Sequence, residues 1–289
     1  MKKFATFALC SCMSLALSSC DTKKEEPKES PTIKVLFIGN SFALDTIEYL
    51  PSIALNAGKE EVKFASLYVP GCSINKHYDN AINNKATYEY YTNIGEGWKS
   101  VKNMSIRSAL QSEEWDYVTI QHGTADGSRY ADINSYVNLE NLIKYVKENA
   151  IGTPKIVFNM TWVGEVNSHE ELKNVYNNDT ITYYNAIASL TKDHISKTKG
   201  LDIISPTGTA IQNARTADIG LLTSDGYHLS LTTGRYTAAL TFYKALTNFD
   251  LKYITWGPAD MDYDLRKYCV EAATNAIANP FEITNSTIK

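Results

Sequence analysis

Two short segments carry the residue types from which nucleophilic chemistry is built. The first is Gly39-Asn40-Ser41-Phe42, which follows the apolar run 33–38 and precedes a stretch, 43–56, able to form a helix. Two roles fit Ser41. It is an ordinary helix cap, or it is a nucleophile at a helix N-terminus, where unpaired amides and the helix dipole favour developing negative charge. The second segment is Ser224-Asp225-Gly226-Tyr227-His228-Leu229-Ser230. An acid and a histidine three residues apart on a tight turn can hydrogen-bond, the carboxylate fixing the imidazole tautomer while the other ring nitrogen faces a serine. A plain Asp-Gly turn with an exposed histidine shows the same pattern, so neither segment decides the matter alone.

Such residues need a scaffold to bring them together. The runs 33–38 (IKVLFI), 117–120 (YVTI) and 155–160 (KIVFNM) read as buried strands, 62–69 (VKFASLYV) as a weaker one and 202–205 (DIIS) as a fifth. Helical periodicity follows them. In 132–149 the apolar residues Ile133, Val137, Leu142, Ile143 and Val146 share one face, and 170–196 repeats the pattern through Leu172, Val175, Tyr176, Ile187 and Leu190. Further helices fit 43–56, 232–247 and 260–278, the last closed by Asn279-Pro280. Strands alternating with helices of this length imply βαβ units and a mainly parallel sheet covered on both faces. In that architecture ligands bind beyond the carboxyl ends of the strands, which is where the Ser41 segment falls, while the Asp225–His228 segment lies just before the helix expected over 232–247. The Asn- and Tyr-rich stretch 73–114 breaks the alternation and reads as a polar insertion within the one domain, 32–289.

A strand ending in Gly-Asn-Ser and a late Asp-x-x-His before the last helices, in this order, resembles the SGNH (GDSL-like) hydrolase superfamily over roughly 33–247. The resemblance implies an α/β fold, three-layer α/β/α and flavodoxin-like, and a serine hydrolase acting on esters without cofactor or metal. Gly39-Asn40-Ser41-Phe42 stands for the more usual Gly-Asp-Ser. On these positions Ser41 is the nucleophile, His228 the general base and then acid, and Asp225 its orienter. Gly71, in Val69-Pro70-Gly71-Cys72-Ser73, would join the Ser41 amide in the oxyanion hole, although a Pro-Gly turn has the same signature. The third block, normally Gly-x-Asn-Asp, departs from the pattern, because the run 115–126 places Ala125 where the asparagine belongs. Losing such a donor costs about 100- to 1000-fold in rate. Gln121, at the strand end, is the expected substitute, with His122 next. The expected substrate is a carboxylic ester, with O-acetyl groups of complex carbohydrate as the class suggested by analogy and by Tyr88, Tyr90, Tyr91 and Trp98 in the insertion. The alternative is a surface glycan-binding lipoprotein that has lost catalysis. A nucleotide or flavin binder lacks its glycine signatures here.

The N-terminus has the charge, apolar length and small-residue ending of an export leader. Residues 1–19 end in Leu17-Ser18-Ser19-Cys20, which resembles a bacterial lipobox with Cys20 as the lipidated residue. Residues 20–31 read as a flexible tether, and its Lys-then-acidic run resembles surface-export signals of Bacteroidetes lipoproteins. The expected location is therefore the cell envelope, lipid-anchored and extracytoplasmic, with membrane contact through Cys20 alone. Asp21 leaves the membrane open. Beyond the leader and anchor only Cys72 and Cys269 remain, enough for at most one bridge. The formal charge is −4, and loss of Lys2 and Lys3 makes it −6, which suits solubility and disfavours nucleic acid as a partner. His77, His169 and His194 have no metal-ligand spacing.

Overall fold

A computed structural model describes residues 30–124, 126–217 and 219–288. The leader, Cys20 and the tether up to residue 29 lie outside the described residues, as does Ala125. Among the described residues one sheet is built from β1 (Thr32–Gly39), β2 (Glu61–Tyr68), β3 (Tyr88–Asn93), β4 (Lys99–Met104), β5 (Tyr117–Ile120), β6 (Lys155–Asn159) and β7 (Ile203–Ser205), in the spatial order β4-β3-β2-β1-β5-β6-β7. The helices are α1 (Ser41–Ile47), α2 (Leu50–Asn56), α3 (Ile74–Ile82), α4 (Ile106–Leu110), α5 (Leu139–Asn149), α6 (Glu170–Val175), α7 (Thr180–Asp193), α8 (Thr207–Ala214), α9 (Thr233–Thr247) and α10 (Tyr263–Ala278).

The central strand explains the layering. β1 sends Val35 and Phe37 to one face and Leu36 and Ile38 to the other, all fully buried, as a parallel strand covered on both sides requires. Val35 and Phe37 pack with α1, α2, α9 and α10; Leu36 and Ile38 pack with α3, α4, α5 and α7. The result is the expected mixed α/β architecture, a mostly parallel sheet between helical layers. β2, β1, β5, β6 and β7 are mutually parallel. The chain runs outward from β1 to β2 and then returns to the other side of β1 as β5, so the carboxyl ends of β1 and β5 flank a topological switch point, where a doubly wound sheet opens a crevice.

Four segments differ from expectation. The helix expected over 132–149 begins only at Leu139, after a short 3-10 turn at Ile133–Tyr136, and Ile133 and Val137 are exposed instead of sharing the buried face of Leu142, Ile143 and Val146. The single helix expected over 43–56 is two, because Pro51 sits in the first turn of α2. Proline has no N–H to give and its ring clashes with the preceding turn, so α1 must stop before it. The helix expected over 170–196 is broken into α6 and α7 by Asn177 and Asn178, at φ +50 and +63, after which Asp179 caps α7 by accepting from the Ile181 and Thr182 amides. Finally, 73–114, read as a polar insertion that breaks the alternation, has regular structure. It forms α3, the antiparallel pair β3–β4 that widens the sheet beyond β2, and α4. Tyr88 and Tyr90 are buried there. Cys72 and Cys269 are both buried and free, so they do not bridge. No helix among the described residues is long and apolar enough to cross a membrane.

Candidate active site

Ser41 is the first residue of α1, and the residue before it determines what surrounds it. The Asn40 side chain, 2% exposed, accepts from the Phe42 amide at 3.0 Å and so caps the helix. Its Nδ2 donates to the Cys72 carbonyl at 3.3 Å and to the His122 carbonyl at 2.8 Å. One amide group thereby ties together the loops that follow β1, β2 and β5. Glycines let the last two meet. Gly71 has the left-handed φ of +54, and a Cβ on Gly123 would lie 2.4 Å from the Cys72 carbonyl oxygen and 2.5 Å from that of Gly71. Any larger residue at 123 would force the loops apart.

His228 lies on a turn fastened from both sides. Asp225 Oδ1 accepts from the Tyr227 and His228 amides at 3.1 and 2.8 Å, and its Oδ2 from His228 Nδ1 at 2.6 Å. With Nδ1 donating, Nε2 is left as the basic nitrogen. Partial burial opposes ionisation of Asp225, but the bonds from the His228 ring and the two amides outweigh it and hold the carboxyl below its usual value. Behind the turn, Trp162 Nε1 donates to the Tyr227 carbonyl at 2.7 Å and stacks on Phe42 at 4.4 Å between centroids. The tryptophan is fully buried, so it supports the site from below.

A second link joins the serine helix to the histidine turn. Asp45, one turn after Ser41 on α1, accepts from the Leu229 amide at 2.8 Å and pairs with Arg235 at 2.8 Å. Arg235 also donates to the Leu229 carbonyl and to Glu48. Burial pushes the Asp45 carboxyl up to about 6 despite the arginine and the amide. Nothing in the sequence marks Asp45 or Arg235 as partners; the only signal is an acid on the otherwise apolar face of a short helix.

Ser41, Gly71 and His228 open onto one cavity of about 640 Å³, lined also by Asn40, Phe42, Tyr68, Gly123, Thr124, Arg129, Tyr130, His169, Glu171, Tyr183 and Tyr227. The Phe42 ring stands edge-on to the His228 ring at 6.0 Å. Among the described residues no hydrogen bond joins the Ser41 hydroxyl to the imidazole, a separation common in unliganded sites, where such bonds tighten with substrate. Residues 34–276 match the profile of a family described as a domain of unknown function, DUF4886. The chain belongs to the DUF4886 family. A DUF4886 protein from Bacteroides uniformis ATCC 8492, known from its crystal structure, is 35% identical with a TM-score of 0.82, the match covering 89% of this chain and 98% of that one. An acetylxylan esterase from Geobacillus stearothermophilus is similar at 14% identity and a TM-score of 0.43, over 78% of this chain and 94% of that one. No curated protein shows significant similarity to the chain.

The geometry corrects the expected third oxyanion donor of this DUF4886 chain. Gln121 is fully buried and turned away from the cavity; its Oε1 accepts from Asn159 Nδ2 at 3.2 Å, within a polar cluster that reaches Thr46. As the residue after Ile120, it points to the helix side opposite Ile120, and so cannot meet a substrate. His122 is also buried, packed against Tyr130 and Tyr136. The aromatic residues of the insertion do not reach the cavity either, except that Tyr91 stands edge-on behind the cavity-lining Tyr68 at 6.0 Å. Cys72, whose thiol burial pushes up to about 12, is 3.5 Å from His77 Nδ1 and is no thiolate nucleophile.

Three imidazoles, the buried His77 and His122 and the half-buried His169, make the stability of this protein sensitive to acid. Burial lowers His77 to about 3, and His122 and His169 to about 4. The unfolded chain takes up protons near 6.5 whereas these native rings do not, so stability is full above about 6.5 and falls as pH drops through that window toward 4. Asp45 has the opposite sign between about 6 and its ordinary value, but it is one group against three. The melting temperature should therefore fall steeply from pH 7 to pH 4.5, and less steeply in a His122→Phe variant, which keeps the aromatic packing and removes one titrating ring. Calorimetry at the two pH values checks this; a flat wild-type profile refutes it.

Proposed function

We propose that this protein is a serine esterase. The observation that carries the reading is a single cavity at the switch point of the sheet holding a helix-starting serine and a histidine whose Nδ1 is held by an ionised aspartate. In this reading Ser41 attacks the ester carbonyl, His228 Nε2 takes the hydroxyl proton, and the alcohol leaves with a proton returned from the imidazolium. The carbonyl oxygen becomes an oxyanion that the amides of Ser41 and Gly71, both on the cavity wall, would stabilise. Water, activated by the same imidazole, then releases the acid. Tyr68, Tyr130, Tyr183 and Tyr227 on the cavity wall combine apolar faces with polar rims, which supports a hydroxyl-rich alcohol such as an O-acetylated sugar.

A fluorophosphonate probe tests the reading without a chosen substrate. Wild-type protein should be labelled at one site, mapped to the peptide containing Ser41, and a His228→Ala variant should be labelled far more slowly. A glycan-binding protein without turnover would bind sugars yet stay unlabelled, and that result would displace the esterase reading.

A further inference from the structure

His169 lines the cavity but takes no part in the relay described above. It occupies the residue before α6, with extended backbone at φ −119 and ψ 137, and its side chain does not cap that helix. Four aromatic rings fix its plane: Tyr130 at 5.5 Å and Tyr227 at 5.7 Å, then Phe42 at 6.3 Å and Tyr183 at 6.5 Å between centroids. Two of these, Phe42 and Tyr227, are the immediate chain neighbours of Ser41 and His228. A side chain on Gly164 would come within 3.0 Å of His169 Cδ2 and within 2.6 Å of the Gly226 carbonyl oxygen, so the imidazole and the histidine turn are packed on the same glycine. The ring is held rigidly beside the reacting groups.

Its two nitrogens differ. Nε2 is buried and has no hydrogen-bond partner, which leaves Nδ1 as the nitrogen available to the cavity. Burial, and then the charges of His228 and Arg215, keep this ring neutral at neutral pH, so it carries a single N–H. An orphaned buried N–H is rarer than an unfilled lone pair, and the proton therefore belongs on Nδ1, facing the cavity. The position on the wall decides what it meets. In the esterase reading Gly71 belongs to the oxyanion hole, whereas His169 packs against Tyr227, the chain neighbour of His228, the residue that would protonate the leaving alcohol.

Building on the esterase reading, we infer that His169 is a specificity-determining residue whose Nδ1–H donates a hydrogen bond to an oxygen on the alcohol part of the substrate, next to the ester, so that the substrates are esters of polyhydroxylated alcohols. A site built around such a donor discriminates against an analogue lacking the matching oxygen, because the donor is then left dry and unpaired.

The test compares kcat/KM on two esters, a monoacetylated methyl pyranoside with free hydroxyls beside the ester and 4-nitrophenyl acetate with none. His169→Phe keeps the ring packing and should lower kcat/KM on the sugar ester about 10- to 100-fold, while leaving the nitrophenyl ester within about two-fold. His169→Asn places an amide N–H near the Nδ1 position and should retain most of the sugar activity; His169→Gln, which imitates Nε2, should not. An equal loss on both esters shows an oxyanion or merely structural role and overturns the inference, as does no loss on either. Failure of the underlying reading is separable, since it appears in the wild type, as absence of hydrolysis of both esters together with absence of fluorophosphonate labelling.

Discussion

Ser41→Ala is expected to lower kcat for a 4-nitrophenyl ester by about 10⁴- to 10⁶-fold, and His228→Ala by a similar factor. The two losses should not multiply in the double variant, because hydroxyl and imidazole act as one unit and removal of either leaves the other without a task. Asp225→Asn should cost less, about 10⁴-fold. That change keeps the shape of the turn but replaces the acceptor of the 2.6 Å bond from Nδ1, allowing the tautomer in which Nε2 carries the proton and is no longer a base. Neither serine nor histidine makes a hydrogen bond on which the fold depends, so the melting temperatures of the first two variants should stay within a few degrees of wild type. A Ser41→Ala protein that keeps a tenth of the wild-type rate would show that catalysis resides elsewhere.

The parts of the molecule written in local periodicity were legible beforehand. Residues 33–38 carry apolar side chains on both faces and became β1; 117–120 and 155–160 became β5 and β6. Strand order was not legible there: only the pairing of β1 with both β2 and β5 makes the switch point beside which Ser41 and His228 line one cavity. What stayed hidden depends on contacts between distant segments. β3 has buried tyrosines alternating with partly buried positions, but its neighbours are polar and its partner β4 is exposed at nearly every residue, so neither shows the hydrophobic signature of a strand. Gln121 looked like a donor because it ends a strand, yet a strand alternates faces, and only the pairing of Ile38 with Ile120 fixes which face residue 121 takes. Asp45 and Arg235 are separated by most of the chain and meet because the histidine turn leads back across α1.

Asn40 offers the sharpest test of how the site is assembled, since its one side chain bonds to three of the loops that form it. In this structure both amide hydrogens have carbonyl acceptors, on Cys72 and His122, and the amide oxygen caps α1. Asn40→Asp preserves the cap and turns both donors into an acceptor, setting a nearly buried carboxylate against two carbonyl oxygens. The loss of two buried hydrogen bonds with their acceptors left in place should cost about 2–4 kcal/mol of stability, read from urea unfolding at pH 7. The loops bearing Gly71 and Gly123 would lose their tie to the serine, and a misplacement on the order of 1 Å there should lower kcat about 100-fold. Protonation restores one donor. Because the environment raises the pKa of the introduced carboxyl above its unfolded value, the stability deficit relative to wild type must shrink as pH falls through that raised pKa toward about 4 and widen above it. Asn40→Ala, which loses the cap as well, has no such titration, so a deficit that is independent of pH in both variants would mean that Asn40 is only a helix cap and that the three loops are held together by other contacts.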